Sequence, residues 1–171
     1  GKYLYFQKIN PMVSEYDIVD AAYQGVVMRK DWLDNVGLDT PTTIDEWYKV
    51  LTAFKTMDPN GNGLNDEIPF DCGGAAINLL WGAYKIVNGP CVNPDTGAVQ
   101  YGAATENYKS FLEEMNKWHS EGLLGNCFDE SGKWASSKLT DEDIVADIAG
   151  AWKGSANNWE KFLPEIQKRN P

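Results

Sequence analysis

The sequence predicts a helix-rich α/β fold built around a small central sheet. Apolar residues at helical spacing alternate along the chain with short β-branched or aromatic runs, which is the pattern of a mixed helix and strand architecture. The chain has 171 residues, of which 43% are hydrophobic, enough for one sizeable core. We therefore expect residues 1–171 to form one domain, or a single lobe of a larger protein.

Five short segments are predicted as strands. The first is residues 2–7, where the chain starts directly with a strand-like run and no signal peptide, as expected for a segment of a longer, processed protein. Val26 and Val27 predict a buried second strand over 25–28. Residues 67–70, residues 99–101 and the end of the apolar segment 144–152 complete the set.

The clearest helix begins after Thr43, which forms a capping box with Glu46. Its apolar face is Ile44, Trp47, Leu51 and Phe54. Further helices are predicted over 29–36, 75–87, 140–143 and 159–168, and Gly37 ends the first of them. Another helix is predicted to begin after Thr105, and its apolar side consists of Tyr108, Phe111, Leu112, Met115 and Trp118. Residues 8–22 are predicted as a loop or short helix, and residues 127–138 as a loop.

The segment 58–69 has the pattern of a calcium loop. Asp58, Asn60, Asn62 and Asp66 place oxygen-bearing side chains at alternate positions, Leu64 offers a backbone carbonyl between them, and Glu67 adds a second carboxylate to close the shell. Gly63 stands at the sixth position, where an EF-hand loop turns sharply.

One position departs from the EF-hand pattern. Pro69 stands at the twelfth position in place of the bidentate glutamate, so Glu67 would take that role in a shorter, stiffer loop with structural calcium. The alternative is a solvated turn, because Asp, Asn and Gly are common turn residues.

Charge and composition exclude several classes of protein. The net charge of -10 leaves no basic patch for nucleic acid or anionic membranes. No apolar run approaches the ~20 residues of a membrane span. The cysteines at 72, 91 and 127 include no C-x-x-C pair, so zinc is not expected. Cys72 and Cys91 could form a disulfide, or all three could be partly buried thiols.

The sequence offers no support for catalysis. His119 is the one histidine and lies at a predicted helix end, where a cation is favourable. No G-x-S-x-G, H-E-x-x-H or P-loop motif occurs. Adjacent acidic residues such as Glu113 and Glu114 lie on a solvated face rather than across a cleft.

Several segments resemble one known family. They are MRKDWLDNVG at 28–37, PTTIDEW at 41–47, the loop 58–69, Tyr108-Lys109, WHSEGL at 118–123, IAGAW at 148–152 and the final Asn170-Pro171. Together they resemble the extracellular solute-binding proteins (family 1) of carbohydrate importers of the ABC type in Gram-positive bacteria. The stretch 25–69 is the most specific, whereas 71–97 and 125–140 match little.

The resemblance implies a periplasmic-binding-protein fold of two α/β lobes with sugar in the cleft between them. This chain would be the continuous part of the second lobe. The family also implies structural calcium in the loop and delivery of oligosaccharide to ABC permease subunits. It further implies an extracellular, cell-surface location, with membrane attachment only through a lipid on a missing N-terminus. We expect a monomer that is not an enzyme.

Aromatic and amide side chains are the candidates for sugar contact, because clefts combine convergent aromatic and polar groups. Two tryptophans are candidates for stacking on the sugar, Trp152 and Trp81, and the alternative for each is packing in the core. Trp152 follows a strand that, by the resemblance, points toward the cleft. Asn157 could donate hydrogen bonds to sugar or cap a helix. The helical periodicity of Trp32, Trp47 and Trp118 predicts core positions.

Two other functions stay open at this point. One is a calcium-stabilised extracellular docking or adhesion module, although such modules duplicate the loop and this chain has one. The other is a fragment of a glycoside-cleaving enzyme.

Overall fold

The computed structural model describes residues 3–5, 25–73, 75–93, 95–128, 131–133 and 137–154, with Pro164 and Lys168. The strands are β1 (Tyr3–Tyr5), β2 (Gly25–Arg29), β3 (Ile68–Asp71), β4 (Pro90–Val92), β5 (Val99–Tyr101), β6 (Leu124–Gly125) and β7 (Ala149–Gly154). The helices are α1 (Lys30–Val36), α2 (Ile44–Thr56), α3 (Glu106–Ser120) and α4 (Ser137–Val145), with 3₁₀ turns at Ala76–Tyr84 and Gly102–Ala104.

The central sheet is small and mixed, with strand order β1-β2-β7-β3-β6. Strands β7, β3 and β6 run parallel, whereas β2 is antiparallel to both of its neighbours. Strands β4 and β5 form a separate two-stranded ribbon. The predicted α/β class with a small central sheet is confirmed. The main evidence for that prediction was the helical spacing of apolar residues.

Local sequence signals explain the first two helices. Gly37 adopts the left-handed conformation, with φ of 68°, and ends α1 with its N–H bonded to the carbonyls of Asp34 and Leu33. The capping box of α2 is present, since Thr43 accepts from the N–H of Glu46 and the Glu46 carboxylate accepts from Thr43 in return.

The core lies between the sheet and the helices. Trp32, Trp118, Phe54 and Phe70 are fully buried in it, and Trp47 is 7% exposed. The predicted core positions of the three helical tryptophans are confirmed. Trp32 and Phe54 pack edge to face at 5.2 Å between ring centroids, which adds to the burial of their surface.

Several predicted elements differ in type or extent. The segment predicted as a helix over 75–87 is a 3₁₀ helix that ends at Tyr84, because no side chain caps its start and Ala75 and Lys85 bound it in the left-handed conformation. Leu112 is exposed, so the buried face of α3 is narrower than predicted. The helix predicted over 140–143 extends to Val145 in α4. The last strand begins only at Ala149, after Asp147 in the left-handed conformation.

Strands β4 and β6 were not predicted from the sequence, because they are only three and two residues long. The helix predicted over 159–168 and the segment 8–22 lie outside the described residues. Within the described part of the chain, no helix combines the length and apolar character that crossing a bilayer requires.

Candidate functional site

The predicted calcium loop is a tight turn between α2 and β3. Three residues in it adopt positive φ: Asp58 at 46°, Gly61 at 70° and Gly63 at 77°. Gly63 is where the pattern requires a sharp turn, and a side chain there would strain the backbone. The backbone therefore curls around its own side chains.

Hydrogen bonds turn the oxygen-bearing side chains toward the inside of the loop. The Asp58 carboxylate accepts from the backbone N–H groups of Asn62, at 3.1 Å, and Gly63, at 2.9 Å. The amide oxygen of Asn60 also accepts from Asn62 N–H, and that of Asn62 accepts from Leu64 N–H at 2.7 Å. These are the bonds of nested Asx turns, and they orient the loop without a bound ion.

The three carboxylates of the loop are held close enough to repel one another. The amide nitrogen of Asn62 donates to both carboxylate oxygens of Asp66, at 3.1 and 3.3 Å. Oε1 of Glu67 is buried and has no hydrogen-bond partner among the described residues. Burial raises the pKa of Glu67 above its ordinary 4.5, and the charges of Asp66 and Asp58 raise it further.

These features fit a cation with oxygen ligands. A calcium ion would satisfy the unpaired Glu67 oxygen and offset the charges of Asp58 and Asp66, with Asn60 and Asn62 supplying amide oxygens. Leu64, 60% exposed, would contribute only its carbonyl. Within the described ranges, however, no cluster of three or more His, Cys, Asp or Glu side chains is arranged as a metal-binding group. A calcium site would therefore depend on the amide and backbone oxygens as well as the carboxylates.

The loop is fixed to the body of the protein at two points that spacing along the chain cannot reveal. Asn35 on α1 donates to the carbonyl of Pro59 at 2.7 Å. Asn60 donates to the carbonyl of Asp147, just before β7, at 3.0 Å. The side chain of Asp147 in turn accepts from the buried Arg29 at the end of β2. The loop is thus joined to α1 and to the start of β7, the central strand, and through Asp147 to the end of β2.

A second group of polar residues lies at the carboxyl edge of the parallel strands. Asp71, the last residue of β3, is fully buried. Its Oδ2 accepts from the Asn126 side chain at 2.9 Å, and its Oδ1 accepts from Gly73 N–H at 2.8 Å. Asn126 also donates to Asp143. Burial raises the pKa of Asp143, and the neighbouring charge of Asp71 adds to the effect.

This group was not predicted from the sequence, because its members come from three distant segments. Asp71 lies at a strand end that was predicted one residue short, and Asn126 is in a stretch with no recognised pattern. A polar residue directly after a buried strand was the signal available.

Trp152 lies on β7 beside Asp71, its partner in the parallel register. Its side chain is 3% exposed and packs in a small cluster with Val27, Ile144 and Ala149, which favours the core-packing alternative. Trp81 is partly buried on the 3₁₀ helix, 6.2 Å from the Tyr108 ring, with its indole N–H unpaired within the described residues. Asn157, Asn158, Trp134 and Trp159 lie outside the described residues.

Comparison with known proteins gives a consistent set of relatives, although no family model matches the chain. The fructooligosaccharide ABC transporter substrate-binding protein FusA of Streptococcus pneumoniae is 38% identical over 103 residues, covering 57% of this chain and 19% of FusA. The polygalacturonan/rhamnogalacturonan-binding protein YtcQ of Bacillus subtilis is 35% identical over 123 residues, covering 68% of this chain and 24% of YtcQ. The chain thus spans about a fifth to a quarter of these relatives.

Solved structures agree with the relatives. FusA of S. pneumoniae in complex with kestose is similar over 86% of this chain and 30% of FusA, with a TM-score of 0.66 and 28% identity. An extracellular solute-binding protein from Bifidobacterium longum subsp. infantis is similar over 77% of this chain and 29% of its own, with a TM-score of 0.63 and 31% identity. An EF-hand mutant of FusA, in complex with fructo-nystose, has a TM-score of 0.62 and 29% identity, over 77% of this chain and 27% of its own. The resemblance drawn from the sequence is confirmed.

Proposed function

Because the homologues and structural neighbours of this chain are extracellular sugar-binding proteins of ABC transporters, we propose that it is part of such a protein and binds oligosaccharide for import. The observation that carries the proposal is the structural match to FusA with kestose over 86% of the chain. The chain corresponds to the continuous part of one lobe, so a second lobe would complete the cleft.

The carboxyl edge of β3, β6 and β7 is the proposed sugar-facing side of the lobe. In open α/β sheets, ligands bind in the crevice outside the carboxyl ends of the strands. Asp71, Asn126 and Asp143 are linked there by hydrogen bonds, and carboxylates and amides suit sugar hydroxyls. Their mutual bonds fix the edge before any ligand arrives, which lowers the entropy cost of binding.

Aromatic contacts to the sugar are proposed for this same edge. Trp81 is the better candidate, because part of its ring is accessible and its indole N–H has no partner within the described residues. Trp152 is buried next to Asp71, so we propose that it supports this edge from within the core, and Asn157 would add an amide from the part of the chain that follows β7.

We also propose that the loop 58–69 binds structural calcium through Asp58, Asn60, Asn62, the Leu64 carbonyl, Asp66 and Glu67. The unpaired Glu67 oxygen supports this proposal, as does the EF-hand mutant made in the FusA relative. When bound, the ion supplies positive charge to three carboxylates. This chain's own residues then transmit the effect, because Asn60 ties the loop to Asp147 and the Pro59 carbonyl ties it to Asn35 on α1.

The partners follow from the same relatives. The proposed protein is an extracellular, lipid-anchored monomer that presents its sugar to the permease subunits of an importer. The homologues are transporter binding proteins, which supports a non-catalytic role.

The proposal is tested by titrating the ¹⁵N-labelled chain with kestose and, separately, with galacturonate oligomers. We expect amide shifts confined to residues near Asp71, Trp81 and Asn126 with one of the two sugars. Trp81→Ala should weaken that binding by about tenfold, which corresponds to ~1.4 kcal/mol of lost stacking.

The matched control is Tyr101→Ala, which removes an exposed aromatic ring on the β4–β5 ribbon and should leave binding unchanged. Shifts that cluster on that ribbon, or no shift with either sugar at millimolar concentration, would contradict the proposed edge.

A further inference from the structure

Two of the three cysteines are buried side by side at the carboxyl edge of the sheet. Cys72 directly follows β3 and is fully buried, and Cys127 follows β6 and is 6% exposed. Both belong to the main hydrophobic cluster. Each is present as a free thiol here, and the two thiols are close enough for each to shift the pKa of the other. The Cys72 thiol lies 3.7 Å from the carbonyl oxygen of Phe70. We propose that Cys72 and Cys127 are a disulfide pair, formed when the chain folds in an oxidising environment.

The backbone around Cys72 holds its sulfur in place. Cys72 N–H donates to the carbonyl of Gly125 at 2.8 Å, which continues the parallel ladder of β3 and β6 by one step. The Cys72 carbonyl accepts from Ala76 N–H at 3.2 Å. Both the backbone N–H and the backbone carbonyl of Cys72 are therefore held by hydrogen bonds.

A turn at Asn126 brings the second sulfur to the first. In the β3–β6 register, Asp71 pairs with Gly125, so a straight strand would place residue 126 opposite Cys72. Asn126 instead adopts φ of 52°, the left-handed region, and its side chain is anchored on Asp71. The chain turns there, and Cys127 packs in the same buried cluster as Cys72 rather than continuing along the strand. Two cysteines must come this near in the fold for a disulfide to form.

Cys91 is placed differently. It lies in β4, opposite Gln100 of the β4–β5 ribbon, and it is partly exposed. Its sulfur has no contact with either of the other two among the interactions that the structure describes. The pairing of Cys72 with Cys91 that the sequence left open is thus not the one that the fold favours.

The chemistry is an ordinary thiol–disulfide exchange with an external disulfide such as oxidised glutathione. The neighbouring Cys72 thiol lowers the pKa of Cys127, which favours Cys127 as the attacking thiolate. Its sulfur displaces one glutathione thiolate and forms a mixed disulfide. Cys72 then loses its proton and attacks the Cys127 sulfur, releasing the second glutathione thiol. The protein loses two hydrogens, and the oxidant gains them.

The bond would close the segment 72–127, which contains the 3₁₀ helix, the β4–β5 ribbon and α3. It would also link the chain directly after Asp71 to the chain directly after Asn126, since these residues precede Cys72 and Cys127. The disulfide thus concerns the same edge as the proposed function, but it can be tested without any sugar.

The test is refolding of the reduced chain in a glutathione redox buffer, followed by peptide mapping under non-reducing conditions. We expect a linked peptide pair containing Cys72 and Cys127. In denaturant, one thiol of the wild type should then react with a maleimide, none in Cys91→Ser and two in Cys127→Ser. Reductant should lower the Tm of the oxidised wild type by roughly 5–10 °C.

Cys91→Ser is the matched control, since it should keep both the disulfide and its sensitivity to reductant. A linked pair that contains Cys91, or three reactive thiols after refolding, would overturn the proposal. Peptide mapping of the wild type decides the matter even if Cys127→Ser folds poorly.

Discussion

Removal of calcium is the perturbation that tests the loop 58–69 most directly. For a loop of this kind with a dissociation constant of about 10 µM, calcium at ~100-fold excess over it stabilises the folded state by roughly 2.7 kcal/mol. For a chain of this size, 1 kcal/mol shifts Tm by about 2–4 °C. We therefore expect the Tm measured after EDTA treatment to rise by roughly 5–10 °C with calcium, and by much less with magnesium.

Glu67→Gln separates the proposed site from a general salt effect. In EDTA this variant should be at least as stable as the wild type, because it removes the negative charge of a carboxylate that Asp66 and Asp58 repel and whose Oε1 is buried without a partner among the described residues. In calcium it should lose most of the rise in Tm. The matched control is Glu113→Gln on the exposed face of α3, which should keep the whole rise.

The dependence on pH gives a second check. A carboxyl pKa raised in the folded state means that the folded chain binds the proton more tightly than the unfolded chain does. Without calcium, the contribution of Glu67 to stability is therefore full below pH 4.5 and falls as pH rises through its folded pKa. Calcium binds the ionised form of Glu67. The rise in Tm that calcium causes should therefore become larger as pH increases through the folded pKa of Glu67. An equal calcium effect in wild type and Glu67→Gln would refute this reasoning.

Three further predictions concern the fold and are read by circular dichroism melting. Thr43→Ala removes the cap of α2 and should cost about 1 kcal/mol, seen as a fall in Tm of roughly 2–4 °C; an unchanged Tm would show that the cap adds nothing. Gly150→Ala places a Cβ 2.6 Å from the Phe54 ring and 2.8 Å from that of Trp32, so overpacking should cost about 1–3 kcal/mol. Asp143→Asn should raise Tm relative to wild type more at pH 7 than below pH 3.8, because the raised pKa of Asp143 penalises only its ionised form; an equal difference at both values would contradict the assigned cause.

The elements that the sequence predicted well are those whose signals are local. Thr43 and Glu46 lie three residues apart, and Gly37 follows its helix directly, so short-range hydrogen bonds decide both boundaries. The turn of the loop 58–69 is also local, since the side chains that turn inward are near neighbours, whereas calcium binding there stays a prediction.

The features that the sequence could not reveal depend on contacts between distant segments. Strand β6 is two residues long and carries no periodicity, and it exists because Phe70 and Asp71 offer it a partner. Asp71, Asn126 and Asp143 meet only once β3, β6 and α4 are assembled. For the same reason, the spacing of the cysteines gave no basis for choosing among their pairings.

The strand order has a consequence for how this chain folds. Strand β7 lies between β2 and β3 and yet is the last strand in sequence among those described. Until residues 149–154 have been synthesised, the nascent chain contains the residues of β2 and β3 without the strand that lies between them. Each then has an open edge able to pair with another nascent chain. Sheet closure therefore waits for the arrival of residues 149–154, and we expect ribosome-bound chains that stop before this segment to remain sensitive to protease.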